Sequence, residues 1–169
     1  MRKKRIKKYR QKHRTSFGYI GESFVETLLS AHGEVLRSKQ WHYDLIFNNR
    51  FKVEVKSTQL GIVRTGFNVR RVNHGWTLYA DRHQELLKED NGFYALVLMI
   101  DKDILCVRFM EAAKATKHLN NSLDYTKKPR VRLGALYKAM KPKDFLQLCE
   151  KLGGATNERN PLGSDMPEV

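Results

Sequence analysis

The chain reads as an α/β domain, and three observations carry that reading. A helical stripe occupies residues 17–31, two alternating strand-like segments joined by a short polar turn occupy 42–57, and a nearly continuous apolar run extends from Phe93 to Ile100. Helical and extended segments interleave along the chain, the order that stacks helices onto a sheet.

In the first helix Ile20, Phe24, Val25, Leu28 and Leu29 fall on one apolar stripe, and Gly33 supplies the stop. Glu22 lies at the edge of that stripe, along the core boundary. Val35 and Leu36 begin an extended segment leading to a strand at 42–47 and a second at 51–57. Asn48-Asn49-Arg50 between them is short and rich in turn formers, as a hairpin needs. Residues 60–75 have no clean period and are expected to be extended or looped, with a strand at 67–72 as the regular option. A short helix at 79–89 ends at Asn91-Gly92. The run Phe93–Ile100 has the composition of a strand buried on both faces, and Asp101-Lys102-Asp103 turns into another strand at 104–109. A helix is expected at 111–119, a polar loop at 120–128, a short strand at 131–133, and a last helix opened by Pro142 and closed by Gly153-Gly154.

With 169 residues and 41% hydrophobic content, one core is expected, over residues 16–154, with tails at 1–15 and 155–169. The net charge of +14 points to a polyanionic partner, most simply nucleic acid, and charge alone fits RNA as well as DNA. Nine of the first fourteen residues are Lys or Arg, a like-charge block expected to be disordered when free. No apolar run follows that block, and the longest one is too short to span a bilayer. A soluble intracellular protein without a membrane partner is therefore expected. Cys106 and Cys149 lack metal-ligand spacing and are expected as buried free thiols.

The chemistry concentrates in the hairpin. On the second strand Phe51, Val53 and Val55 share one face, and Lys52, Glu54 and Lys56 the other. The hairpin brings Asp44 alongside Glu54, with Lys56 one pleat away. Two carboxylates beside one ammonium suit a hard divalent cation and a phosphate.

Gly21-Glu22 on a helix, Tyr43-Asp44-Leu45, and Val53-Glu54-Val55-Lys56-Ser57, in that order, resemble the PD-(D/E)XK nuclease superfamily. The resemblance is close over residues 18–60, and the helix and strand at 79–100 fit by element order. Tyr43 stands where that motif commonly has proline. The resemblance implies a restriction-endonuclease-like core, a central mixed β-sheet flanked by helices. It implies phosphodiester hydrolysis with Glu22, Asp44, Glu54 and Lys56 as catalytic residues. Mg2+, with Mn2+ as a substitute, would be held by Asp44, Glu54 and the Val55 carbonyl, with Glu22 holding a water or completing a second position. Lys56 would orient the attacking water or stabilise charge on the phosphate. Glu26, one turn after Glu22, is an alternative to it. Gln84 occupies a position where some relatives of this superfamily place a glutamine, although a solvated helix face accounts for it more simply. Ser38, Ser57 and Thr58 are candidate phosphate contacts, and His42 is the histidine nearest the site. The other histidines are read as surface or DNA-contact residues.

For nucleic-acid contact, Arg64, Arg70 and Arg71 are the candidates in the body, with Phe67 and Trp76 nearby. Arg2, Lys3, Lys4, Arg5, Lys7 and Lys8 are the candidates in the tail. The size and motifs are compatible with Holliday junction resolvases and with compact restriction or homing endonucleases. A homodimer acting on duplex or branched DNA is expected, since one compact site cuts one strand. The reading from another class is a non-catalytic nucleic-acid-binding protein on the same fold.

Overall fold

The computed structural model describes residues 17–65, 68–72, 75–100, 102–119 and 129–154. The expected basic tail, the 120–128 loop, the C-terminal tail, Phe67, His74 and Asp101 lie outside them. The architecture is α/β, with a central mixed sheet flanked by helices.

Helix α1 (Phe17–Ser30) precedes β1 (Val35–Arg37), β2 (Leu45–Phe47) and β3 (Phe51–Gln59). Next come β4 (Gly61–Thr65), β5 (Asn68–Val72), β6 (Trp76–Thr77) and α2 (Ala80–Lys88). The chain continues through β7 (Gly92–Ile100), β8 (Asp103–Glu111), α3 (Ala112–Thr116), β9 (Arg130–Val131), a 3-10 turn at Leu133–Lys138 and α4 (Pro142–Gly154). The main sheet has the order β1-β2-β3-β7-β8, with β3 and β7 parallel and the other neighbours antiparallel. A parallel pair needs a crossover, and α2 lies within it.

The β2–β3 hairpin turns through Asn48 and Asn49, both at positive φ (50° and 54°), a region asparagine tolerates better than most residues. The tip is anchored to the end of α1. Asn48 Oδ1 accepts the Glu34 N–H at 3.0 Å, and Asn49 Nδ2 donates to Glu34 Oε2 at 2.9 Å. A Cβ on Gly33 would lie 2.2 Å from Asn48 Oδ1, so glycine there serves close approach as well as helix termination.

Alternation divides the core in two. On one face Val53 and Val55 join Val25 and Leu29 of α1 and Phe145 of α4; on the other Tyr94, Leu96 and Leu98 join Trp76, Leu78 and Leu86. Strand β7 is buried on both faces as expected. Phe24, expected on the apolar stripe of α1, is instead 42% exposed.

Several boundaries differ from expectation. The 42–47 strand shrinks to β2, because the Val55 N–H that a longer β2 would engage through its backbone goes to Asp44 Oδ2 instead. In the 60–75 segment the expected 67–72 strand is β5, paired antiparallel with β4. The 111–119 helix is shorter than expected, the five-residue α3, since β8 runs on to Glu111. The expected 131–133 strand is β9, paired with β6. Both cysteines are free; Cys149 is buried, with burial pushing its thiol up to about 12, whereas Cys106 is half-buried. Among the described residues no helix is long and apolar enough to cross a membrane.

Candidate active site

The short β2 strand ends where the site begins. The Asp44 N–H donates to the Val53 carbonyl at 3.0 Å, and the Ser38 N–H donates to the Asp44 carbonyl at 2.8 Å. Asp44 Oδ2 accepts the Val55 N–H at 2.8 Å, so the side chain does a backbone acceptor's work and is fixed in direction. These bonds hold Asp44 against β3 at the level of Glu54, as the hairpin pattern predicts.

Glu54 is 1% exposed, so the polar face of β3 is here an interior. Lys56 Nζ contacts Glu54 Oε1, and Arg82 Nη1 of α2 lies 3.6 Å from the same oxygen. Glu54 Oε2 is buried without a hydrogen-bond partner. Burial and, after it, the neighbouring Asp44 push the Glu54 carboxyl up to about 7, while Lys56 opposes the rise. A carboxyl with one oxygen unmatched and a second carboxylate beside it gains from a positive ion between them. The donors are all oxygen, which suits Mg2+ or Mn2+. Among the described residues no cluster of three or more His, Cys, Asp or Glu is arranged around a metal position. The set offered is two carboxylates, and Mg2+ is commonly held by one or two carboxylates while keeping several waters.

Glu22 sits elsewhere in this arrangement. Helix α1 packs on the Val53–Val55 face, where a Cβ on Gly21 would meet Ser57 Oγ at 2.0 Å, whereas Glu54 and Lys56 project on the other. Glu22 Oε2 lies 3.9 Å from Arg37 Nη1. Glu26, its alternative, is bound more closely, receiving Arg37 Nε on both oxygens at 3.0 Å. The structure therefore brings together Asp44, Glu54, the Val55 backbone and Lys56, and gives Glu22 and Glu26 to Arg37.

Behind Glu54 stands a buried polar chain. Tyr94 is the register partner of Glu54 across the parallel pair. His83 Nδ1 is 2.8 Å from the Tyr94 hydroxyl and Nε2 is 2.9 Å from Thr116 Oγ1, which itself donates to the Ala112 carbonyl at 3.3 Å. With the Thr116 proton so used, Nε2 carries the imidazole proton and Nδ1 accepts from Tyr94. Burial holds His83 neutral and raises the Tyr94 phenol. His83 is thus a structural histidine, contrary to the surface or DNA-contact role expected of it.

The remaining candidates also serve the fold. His42 Nε2 lies 2.9 Å from Glu89 Oε1. Thr58 Oγ1 donates to the Gly75 carbonyl at 2.9 Å, Ser38 Oγ accepts the Gln40 N–H at 2.9 Å, and Ser57 Oγ is buried beneath α1. Trp76 is fully buried and donates its Nε1–H to the Val97 carbonyl at 3.0 Å, so it is no stacking surface for a base. Gln84 is half-buried on α2. Arg64 falls on β4, and Arg70 and Arg71 on β5. Arg2, Lys3, Lys4, Arg5, Lys7 and Lys8 lie outside the described residues.

Sequence reasoning missed Arg82 and Tyr79. The Tyr79 ring has Lys56 Nζ at 5.6 Å and Arg82 Cζ at 5.4 Å from its centroid. An available signal was Arg82 in the first turn of a helix, where the dipole favours an acid. No family model and no curated protein matches the chain.

Proposed function

We propose that this protein is a Mg2+-dependent DNA endonuclease of the PD-(D/E)XK type, with Asp44, Glu54 and Lys56 as its catalytic core. One observation carries the reading: a fully buried glutamate with an unpartnered oxygen, set beside a fixed aspartate and contacted by a lysine. A bound divalent cation supplies polarisation of the phosphate and a nucleophile at neutral pH. Asp44, held by the Val55 N–H, and Glu54 Oε2 present the anionic oxygens. Lys56, which contacts Glu54 Oε1, is the cation that would stabilise charge growing on the phosphate oxygens. Glu22 joins the set only by leaving Arg37.

Within this class the reading favours a structure-specific enzyme on junction or branched DNA, acting as an intracellular homodimer. Recognition of DNA shape needs less dedicated apparatus than sequence readout. The alternative is a sequence-specific restriction or homing enzyme that places the β4–β5 hairpin, with Arg64, Arg70 and Arg71, in a groove.

The test is cleavage of a four-way junction, a matched linear duplex and single-stranded DNA, each in Mg2+ and in EDTA. Metal-dependent cutting of the junction alone is expected. Cutting of linear duplex at defined positions would move the substrate to the restriction class. Binding with no cutting in Mg2+ or Mn2+ would leave a non-catalytic nucleic-acid-binding module.

A further inference from the structure

We infer that Arg82 is a second phosphate ligand of this site, held in reserve against Glu54 and passed to a non-bridging oxygen of the scissile phosphodiester when the carboxylates take up a cation. The inference rests on the nuclease reading and adds a residue outside the motif that suggested it.

Charge is the first argument. Lys56 and Arg82 both approach Glu54 Oε1, whereas Asp44 spends one oxygen on the Val55 N–H. A divalent cation on Asp44 and Glu54 neutralises the two acids and leaves two protein cations without a carboxylate. A phosphodiester carries one negative charge and gains a second as hydroxide adds, which matches that surplus. The step is an ordinary hydrolysis: the new P–O bond forms from water, which gives up a proton to solvent, and the bridging P–O bond breaks, its leaving oxygen taking a proton from solvent to become the alcohol.

Position is the second. The Arg82 side chain is 40% exposed while that of Glu54 is 2% exposed, so Arg82 reaches a buried acid from the solvent side, where a phosphate would enter. Tyr79, 46% exposed, places its ring beside both cations.

Helix energetics is the third. Arg82 is the third residue of α2, at the positive end of its dipole. Asp81 satisfies the local preference for an acid there and accepts the Arg82 N–H at 2.8 Å. The guanidinium opposes that preference, and such local violations cluster at functional positions. Its planar fork matches two phosphate oxygens in a way an ammonium does not.

The test compares wild type, Arg82→Ala and Arg82→Lys with Lys88→Ala, an exposed control on the same helix whose partner is Glu85. Binding to a four-way junction and to linear duplex is read in Ca2+, cleavage in Mg2+, and Mn2+ binding by the protein alone. Arg82→Ala is expected to weaken DNA binding by roughly tenfold relative to Lys88→Ala and to lower kcat/KM further, with only partial recovery in Arg82→Lys. Its Mn2+ affinity should not fall, since Arg82 is no metal ligand and its removal takes away a cation competing for Glu54 Oε1. Arg82→Ala equal to Lys88→Ala in binding and cleavage overturns the assignment, as does a wild type that binds no DNA. A wild type that binds without cutting, with binding weakened by Arg82→Ala, removes the nuclease reading and keeps Arg82 as the phosphate ligand.

Discussion

On one face of the sheet Phe145 meets four aromatic rings, stacking on Phe109 at 4.1 Å and lying 5.1–6.3 Å from Phe93, Phe47 and Phe51. On the other face the same strands β3 and β7 present Glu54 and Tyr94 to a layer that includes His83, Lys56 and Arg82. Adjacent residues of one strand thus belong to two different interiors. The first gains its stability from apolar burial and ring packing. The second includes buried polar groups that must be matched, and it matches all of the Tyr94–His83–Thr116 chain but not Glu54 Oε2. The contrast singles out Glu54: a buried acid left unmatched costs stability, which a bound cation would restore.

The contrast breaks most visibly at its apolar end. Phe145→Ala should cost about 3–5 kcal/mol in urea unfolding while leaving cleavage by the folded fraction unchanged, because the cavity opens on the face away from Glu54. A loss below about 1 kcal/mol would mean the ring stack is not a packed unit.

The polar face should show itself through pH. Because the Glu54 carboxyl is raised from its ordinary 4.5 to about 7, the folded state binds more protons than the unfolded state between those values. Its contribution is therefore fully present below pH 4.5 and is lost as pH rises through 7. For metal-free protein in EDTA this amounts to on the order of 3 kcal/mol, and Glu54→Gln should flatten that part of the stability profile. A wild-type profile already flat between pH 5 and 8 would remove the strained-acid account.

A smaller effect tests the joint between α1 and the sheet. Gly21→Ala drives a methyl against Ser57 Oγ and should destabilise by about 1–3 kcal/mol. In a Ser57→Ala background most of that loss should vanish, because the substitution removes a buried hydroxyl that has no hydrogen-bond partner. Additive losses would place the strain elsewhere.

The hairpin was legible in the sequence because period-two alternation and the Asn-Asn turn agree, and through it so was the meeting of Asp44 with Glu54 and Lys56. The depth of Glu54 was not legible, since alternation assigns a face but does not say that α2 and Trp76 will cover it. Glu22 was placed correctly at the core boundary. Its partner Arg37, however, comes from an edge strand of three residues whose neighbours no periodicity fixes. By sequence Trp76 reads as a neighbour of the arginines in the irregular segment, and His83 as a surface or DNA-contact residue on the expected 79–89 helix. They are buried because tertiary contacts supply the Val97 carbonyl, the Tyr94 hydroxyl and Thr116 as partners. Arg82 required the crossing of α2 over β3, a long-range fact, although its position against the helix dipole was visible locally.

The most direct test is nicking of supercoiled circular DNA by wild type and Asp44→Asn, each in Mg2+ and in EDTA. The amide oxygen of asparagine can still accept the Val55 N–H, so the variant should fold and melt like wild type while losing only the charge. Wild type is expected to nick in Mg2+ and not in EDTA, with Asp44→Asn slower by roughly a thousandfold, about 4 kcal/mol. Nicking by Asp44→Asn at the wild-type rate, or a wild type that never nicks with Mg2+ or Mn2+, would sink the claim that this carboxylate pair is a catalytic site.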